Sequence, residues 1–268
     1  MSKKPDQKTK VLKGSLNPSH QKNAVRVNIA TPCYGGKFST AYVESMFKLL
    51  STKNVQNRSF NLSTIDYADI VFARNYLISN FYFNQTNCSH LLFVDDDMGF
   101  SEKMIQEMIN LDEDVVGVIA PKRSIDLKKL HALGDLDFKA AMAEACGFVG
   151  APNKVKTKNG FLEVDKCGGG ILLISRKAVE RMIQMCPDIV DEKRFKKMTI
   201  ASKFTRFLTP FDLIKQDDQA LSEDYSFCHR WVHGCGGKIF VNISHDITHV
   251  GDIAIEAKFL DKMQQDLN

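Results

Sequence analysis

The chain has 268 residues, a formal net charge of +4, 44% hydrophobic residues and 25% charged residues. That balance fits a soluble globular domain with a core large enough to need no staple, and it excludes a fibrous or wholly disordered chain. So small a charge gives no polyelectrolyte signal for nucleic acid, which is not expected as a partner, although it suits anionic substrates.

Residues 1–23 are polar and carry Lys3, Lys4, Lys8, Lys10, Lys13 and Lys22 with almost nothing to build a core. This segment reads as a disordered basic tail. It lacks the apolar run of a secretory signal, and no transmembrane segment is expected anywhere in the chain. A peripheral contact between the basic tail and anionic lipid stays open. Seven cysteines at irregular spacing, without a Cys-x-x-Cys pair, read as the reduced thiols of a cytoplasmic protein.

The first strand is Val25 to Ala30, broken at Thr31-Pro32-Cys33-Tyr34-Gly35-Gly36. Ser39 is placed to cap a helix running to Leu50, with Tyr42, Val43, Met46, Phe47 and Leu50 as its apolar face. A strand near Ser59 to Ile65 and a helix from Ala68 to Phe83 follow. The next strand is His90-Leu91-Leu92-Phe93-Val94, which ends in Asp95-Asp96-Asp97. Ser101 caps a helix over 102–110, and Val115 to Ala120 is another buried strand. Strand and helix alternate throughout this half, which predicts an α/β fold with a mixed, mainly parallel sheet flanked by helices.

The second half reads differently. Cys167-Gly168-Gly169-Gly170 leads into a strand ending at Ser175, and a helix follows to Met185. Residues 187–220 read as a long, charged, mobile connection in which Phe204, Phe207 and Phe211 would anchor an acceptor lid. Glu223 and Asp224 open a helix to about His233. A strand over 238–243, His249-Val250-Gly251 and a short amphipathic helix complete the chain.

Three adjacent carboxylates at the carboxyl end of a buried strand repel one another unless something neutralises them. In an α/β sheet that edge binds ligands, and a divalent cation is the natural counter-charge. Asp95 and Asp97 can reach one cation with a diphosphate on its far side. Gly35-Gly36-Lys37 imitates the end of a P-loop, but Thr31 and Phe38 stand where that loop needs glycine and Ser or Thr. Cys228, His229, His233 and Cys235 invite a zinc reading, but paired-cysteine spacing is missing and a core cysteine with surface histidines fits better.

In order, Thr31-Pro32-Cys33-Tyr34, Ala73-Arg74-Asn75, Asp95-Asp96-Asp97, Gly168 to Ser175, Ser222-Glu223-Asp224 and His249-x-Gly251 resemble GT-A glycosyltransferases of the family-2-like kind. The resemblance spans nearly the whole chain after the tail. It implies one GT-A domain over 24–268, with a nucleotide-binding half at 24–123 and an acceptor-binding half at 124–268. It implies Mn²⁺ or Mg²⁺ held by Asp95, Asp97 and His249. Thr31, Pro32, Tyr34, Arg74, Asn75, Asp95 and Asp96 would bind the nucleotide sugar; apart from the resemblance, Asp66 or Asp69, placed after the second strand, is a candidate acceptor for a nucleobase hydrogen bond. Gly168, Gly169 and Gly170 would lie under the acceptor. Asp224 would be the general base of an inverting transfer, assisted by Glu223. The implied partners are a UDP- or GDP-sugar donor and a glycan or glycoconjugate acceptor. A nucleotide-sugar-binding protein without catalysis, or a Mg²⁺-dependent phosphatase, are the alternatives.

Overall fold

The computed structural model describes residues 24–51, 58–150, 157–192, 204, 206–216 and 219–252. The basic tail, the final amphipathic helix and parts of the 187–220 connection therefore lie outside the described residues.

The first half alternates as its pattern predicts. It runs β1 (Val25–Cys33), α1 (Thr40–Ser51), β2 (Arg58–Asp66), α2 (Ile70–Asn84), β3 (His90–Val94), β4 (Met98–Gly99), α3 (Glu102–Asn110) and β5 (Val115–Val118). Short elements follow: β6 (Pro121–Ile125), α4 (Leu127–Ala132), α5 (Phe138–Ala145), β7 (Cys146–Phe148), β8 (Thr157–Lys158) and β9 (Phe161–Val164). Then come β10 (Ile171–Ser175), α6 (Arg176–Met185), β11 (Val190–Asp191), β12 (Phe207–Leu208), β13 (Lys215–Gln216), β14 (Gln219–Ala220) and α7 (Glu223–His229). One π turn, Arg230–Gly234, leads on to β15 (Ile239–Asn242) and β16 (Thr248–His249).

Eight strands form one mixed sheet in the order β2-β1-β3-β10-β5-β15-β9-β8. β10 and β9 run against the other six. The sheet is continuous across the chain, because β10 inserts between β3 and β5. Leu91, Leu92, Phe93 and Val94 are all fully buried, since both faces of β3 are covered. Each such side chain contributes roughly 1.5–3 kcal/mol on leaving water.

Two expectations change. The buried face of α1 is Tyr42, Ser45, Met46 and Leu49, whereas Val43, Phe47 and Leu50 point to solvent. Apolar residues lie on both sides of this helix, so periodicity alone could not orient it. In the 187–220 connection the described aromatics are core rather than lid anchors. Phe207 stacks on Phe72 at 5.8 Å, Phe211 stacks on Phe227 at 4.9 Å, and Phe204 is 7% exposed. Phe204, Phe207 and Phe211 are part of the hydrophobic core beneath α2.

Candidate functional site

β1, β2, β3 and β5 all end at one edge of the sheet, and the antiparallel β10 begins there. Topology therefore brings the loops after β1, β2 and β3 next to the glycine run before β10. A cleft of about 390 Å³ opens at this edge, lined by Pro32 and Cys33 at the end of β1, which runs past the break expected at Thr31, by Tyr34 after it, by Tyr67 and Ala68 after β2 and by Ile70 at the start of α2. The three aspartates, Arg74, Glu223 and Arg123 complete it. A second cleft of about 570 Å³ lies beside it and shares Asp96, Asp97 and Arg123.

The loop after β1 turns on Gly35 and Gly36, whose φ angles of 72° and 63° favour glycine. Asp66 at the end of β2 accepts the Gly35 amide at 2.9 Å, so it braces the loop. Asp69 is the N-cap of α2, accepting from Val71 and Phe72. Thr31 is fully buried and bonds the Tyr42 hydroxyl at 2.8 Å, so it secures α1 behind the cleft wall.

Arg74 is 2% exposed and satisfies three acceptors. It donates to Asp95 Oδ2 at 3.0 Å, to Glu223 Oε1 at 3.4 Å and to the Gly169 carbonyl at 3.2 Å. Burial alone would lower its pKa; Asp95, then Glu223, outweigh that and raise it. A Cβ at Gly169 would stand 2.9 Å from the Arg74 guanidinium carbon, which gives this glycine its role. Gly170 accepts the Asp95 amide at 2.9 Å and continues the β10–β3 pairing. The glycine run thus admits Arg74 and β3. Gly168 packs near Val149, and Asp224 Oδ2 lies 3.8 Å from where its Cβ would be.

Asn75 is turned from the cleft. Its side chain donates to Asp212 at 2.9 Å and accepts the Phe211 amide at 3.0 Å, holding the late core segment to α2.

The three aspartates differ. Asp95 keeps one oxygen on Arg74, while Oδ1 is buried with no hydrogen-bond partner. Burial pushes its pKa up, against the pull of Arg74. Asp97 likewise has a buried Oδ1 with no partner, and its Oδ2 meets Arg123 at 3.1 Å and His249 Nε2 at 3.4 Å. Burial raises Asp97 too, but the hydrogen bond and charge of His249, with Arg123, hold it below the usual carboxylate value. The Asp96 carbonyl takes the Ser39 amide at 2.9 Å, so it ties the start of α1 to the acidic segment. Burial, then Asp97 and Asp95, raise the Asp96 pKa.

β16 carries His249 to this place by pairing with β4, which puts His249 opposite Met98. His249 Nδ1 donates to the Pro121 carbonyl at 2.7 Å and leaves Nε2 facing Asp97. That outer hydrogen bond is the arrangement that orients a metal-binding imidazole. Its hydrogen bond with Asp97 raises the imidazole pKa.

Glu223 reaches the cleft; Asp224 is not among its lining residues. Asp224 Oδ1 accepts the Tyr225 amide at 2.8 Å and the Ser222 hydroxyl at the start of α7. Sequence reasoning missed Arg123, whose only signal was a basic residue soon after a strand. The zinc reading fails on geometry: the Cys228 sulfur points to the Cys167 carbonyl and Trp231 is core. All seven cysteines are unbridged.

No protein-family model and no curated protein matches this chain. Among solved structures, A197 from STIV aligns over 87% of this chain and 98% of its own, at 12% identity and a TM-score of 0.43. A likeness of that size assigns neither a fold family nor an activity.

Among the described residues no three His, Cys, Asp or Glu side chains close into a ready metal cage. Guanidinium groups stand against both Asp95 and Asp97 instead. No described helix is long and apolar enough to cross a membrane.

Proposed function

We propose that this protein is a metal-dependent, inverting glycosyltransferase of the GT-A kind, moving a sugar from a UDP- or GDP-sugar to a hydroxyl of a glycan or glycoconjugate. The observation that carries the reading is the pair of buried, partnerless oxygens, Asp95 Oδ1 and Asp97 Oδ1, beside an imidazole whose Nε2 faces Asp97. Buried carboxylate oxygens without donors are costly, and a hard cation is the ligand that satisfies them.

Asp95, Asp97 and His249 would hold the ion by closing on it, because as they stand no three such side chains among the described residues form a metal cage, and Arg74 and Arg123 take one oxygen of each aspartate. Two carboxylates and one imidazole suit Mn²⁺ or Mg²⁺, the nitrogen favouring Mn²⁺. Such a cation supplies Lewis-acid stabilisation of a departing diphosphate. Arg74 fixes Asp95, and the Pro121 carbonyl fixes the His249 ring. Tyr34, Pro32 and the residues after β2 wall the cleft where a nucleoside would lie. Asp224 is the proposed base for the acceptor hydroxyl. Glu223, held by Arg74, would assist by orientation or acceptor binding.

The test is a thermal-shift titration with UDP, GDP and their sugars, with and without Mn²⁺. A metal-dependent rise of several degrees for one nucleotide, lost in Asp97→Asn, supports the reading. Nucleotide binding without transfer, unchanged by Asp224→Asn, would mark a binding protein. No response to any nucleotide would sink the donor-site reading.

A further inference from the structure

Two arginines neutralise the acidic end of β3, and they are held very differently. Arg74 has 3% of its side chain exposed and serves three acceptors; Arg123 has 62% exposed and one partner at the site, Asp97 Oδ2. Exposed ion pairs of the second sort are weak and exchange readily, whereas a buried, multiply bonded guanidinium does not. The backbone under Arg123 is nevertheless fixed. A Cβ on Gly251 would lie 2.7 Å from the Arg123 Cβ and 2.8 Å from its carbonyl, so the 249–251 segment lies directly against it. His249 bonds Pro121, two residues before Arg123. The root of Arg123 is thus locked to the segment that brings in His249, while its head is in solvent.

Arg74 and Arg123 are the cations lining the first cleft, and Arg123 also lines the second. With Arg74 committed, Arg123 has donors to offer an anion in the first cleft, and Lys37 joins it in the second.

We propose that Arg123 is an exchangeable counter-cation: a divalent ion that takes Asp97 displaces the guanidinium, which then binds the diphosphate of the donor. The inference rests on the metal-site reading above. In the metal-free protein Arg123 limits the repulsion among Asp95, Asp96 and Asp97. With metal bound it would face a second positive charge across Asp97, and the incoming diphosphate relieves that repulsion. Metal and diphosphate therefore bind with positive coupling through one side chain.

The experiment uses the full chain, with Mn²⁺ alone as the first probe and inorganic pyrophosphate as the second, followed by calorimetry and by the electron paramagnetic resonance of free Mn²⁺. Arg123→Met is expected to bind Mn²⁺ alone several-fold more tightly and Mn²⁺-dependent pyrophosphate about tenfold more weakly than the parent. Arg123→Lys should restore part of the pyrophosphate affinity. If the parent binds Mn²⁺ and Arg123→Met changes neither affinity, or weakens Mn²⁺ binding, the exchange is wrong while the metal site stands. If the parent binds no Mn²⁺, the metal-site reading falls and takes this inference with it.

Discussion

Arg74 is the cation on which the buried end of β3 depends. Replacing it by Ala leaves Asp95 buried without its partner, and unfolding in urea should show a loss of about 3–5 kcal/mol. Arg74→Lys should recover little, because a point charge cannot span Asp95, Glu223 and the Gly169 carbonyl together. A loss below about 1 kcal/mol would mean that Asp95 is neutral in the folded protein. Gly251 offers a second residue-level test. Gly251→Ala must push the 249–251 segment off Arg123, at a cost of about 1–3 kcal/mol by denaturant unfolding, and the Mn²⁺-dependent thermal shift should shrink with it. An undiminished Mn²⁺ response in that variant would detach His249 from the site.

At the scale of elements, the core of β3 and the turn before β15 are the tightest constraints. Leu92 is fully buried, and Leu92→Ala should cost about 2–5 kcal/mol by denaturant unfolding. Gly237 lies flat against the Trp231 indole: a Cβ there would stand 2.1 Å from the ring. Gly237→Ala must displace the tryptophan and its bond to the Lys238 carbonyl, for a loss of about 1–3 kcal/mol and a changed tryptophan emission. An unshifted spectrum would contradict this packing. Elements whose signals are local were legible. Ser101 caps α3 as its position predicts, accepting the Met104 amide, and α6 spans the anticipated residues. The face of α1 was not legible, because which side meets the sheet is settled by β1 and β3 rather than by the helix.

Across the whole molecule, two histidines give stability opposite pH dependences. His90, at the other end of β3, is pushed below its ordinary value of 6.5, first by burial. The unfolded chain then takes that proton first, so its contribution is full above about pH 6.5 and is lost as pH falls through the folded value. His249 is raised, first by its hydrogen bond to Asp97, so its contribution is full below about 6.5 and is lost as pH rises through the folded value. Urea midpoints measured against pH without metal should show His90→Gln flattening the acid limb and His249→Gln the alkaline one. The same slopes in both variants as in the parent would refute these assignments.

The order of strands and helices in the first half, the acidic terminus of β3 and the place of that terminus at the carboxyl edge of the sheet were legible in the chain alone, because apolar periodicity and adjacent charges are local properties. Three things waited for the tertiary structure. The insertion of β10 between β3 and β5 brings Gly169 against Arg74, although the glycine run suggested a place for a ligand. Asn75 and the 204–211 aromatics became core, because what covers α2 arrives from more than a hundred residues away. Arg123, on β6 after β5, meets Asp97 where the 249–251 segment packs on its backbone and β16 pairs with β4. A sequence states which charges it carries; which of them meet, and which are buried deeply enough to need a partner, is a property of the folded sheet.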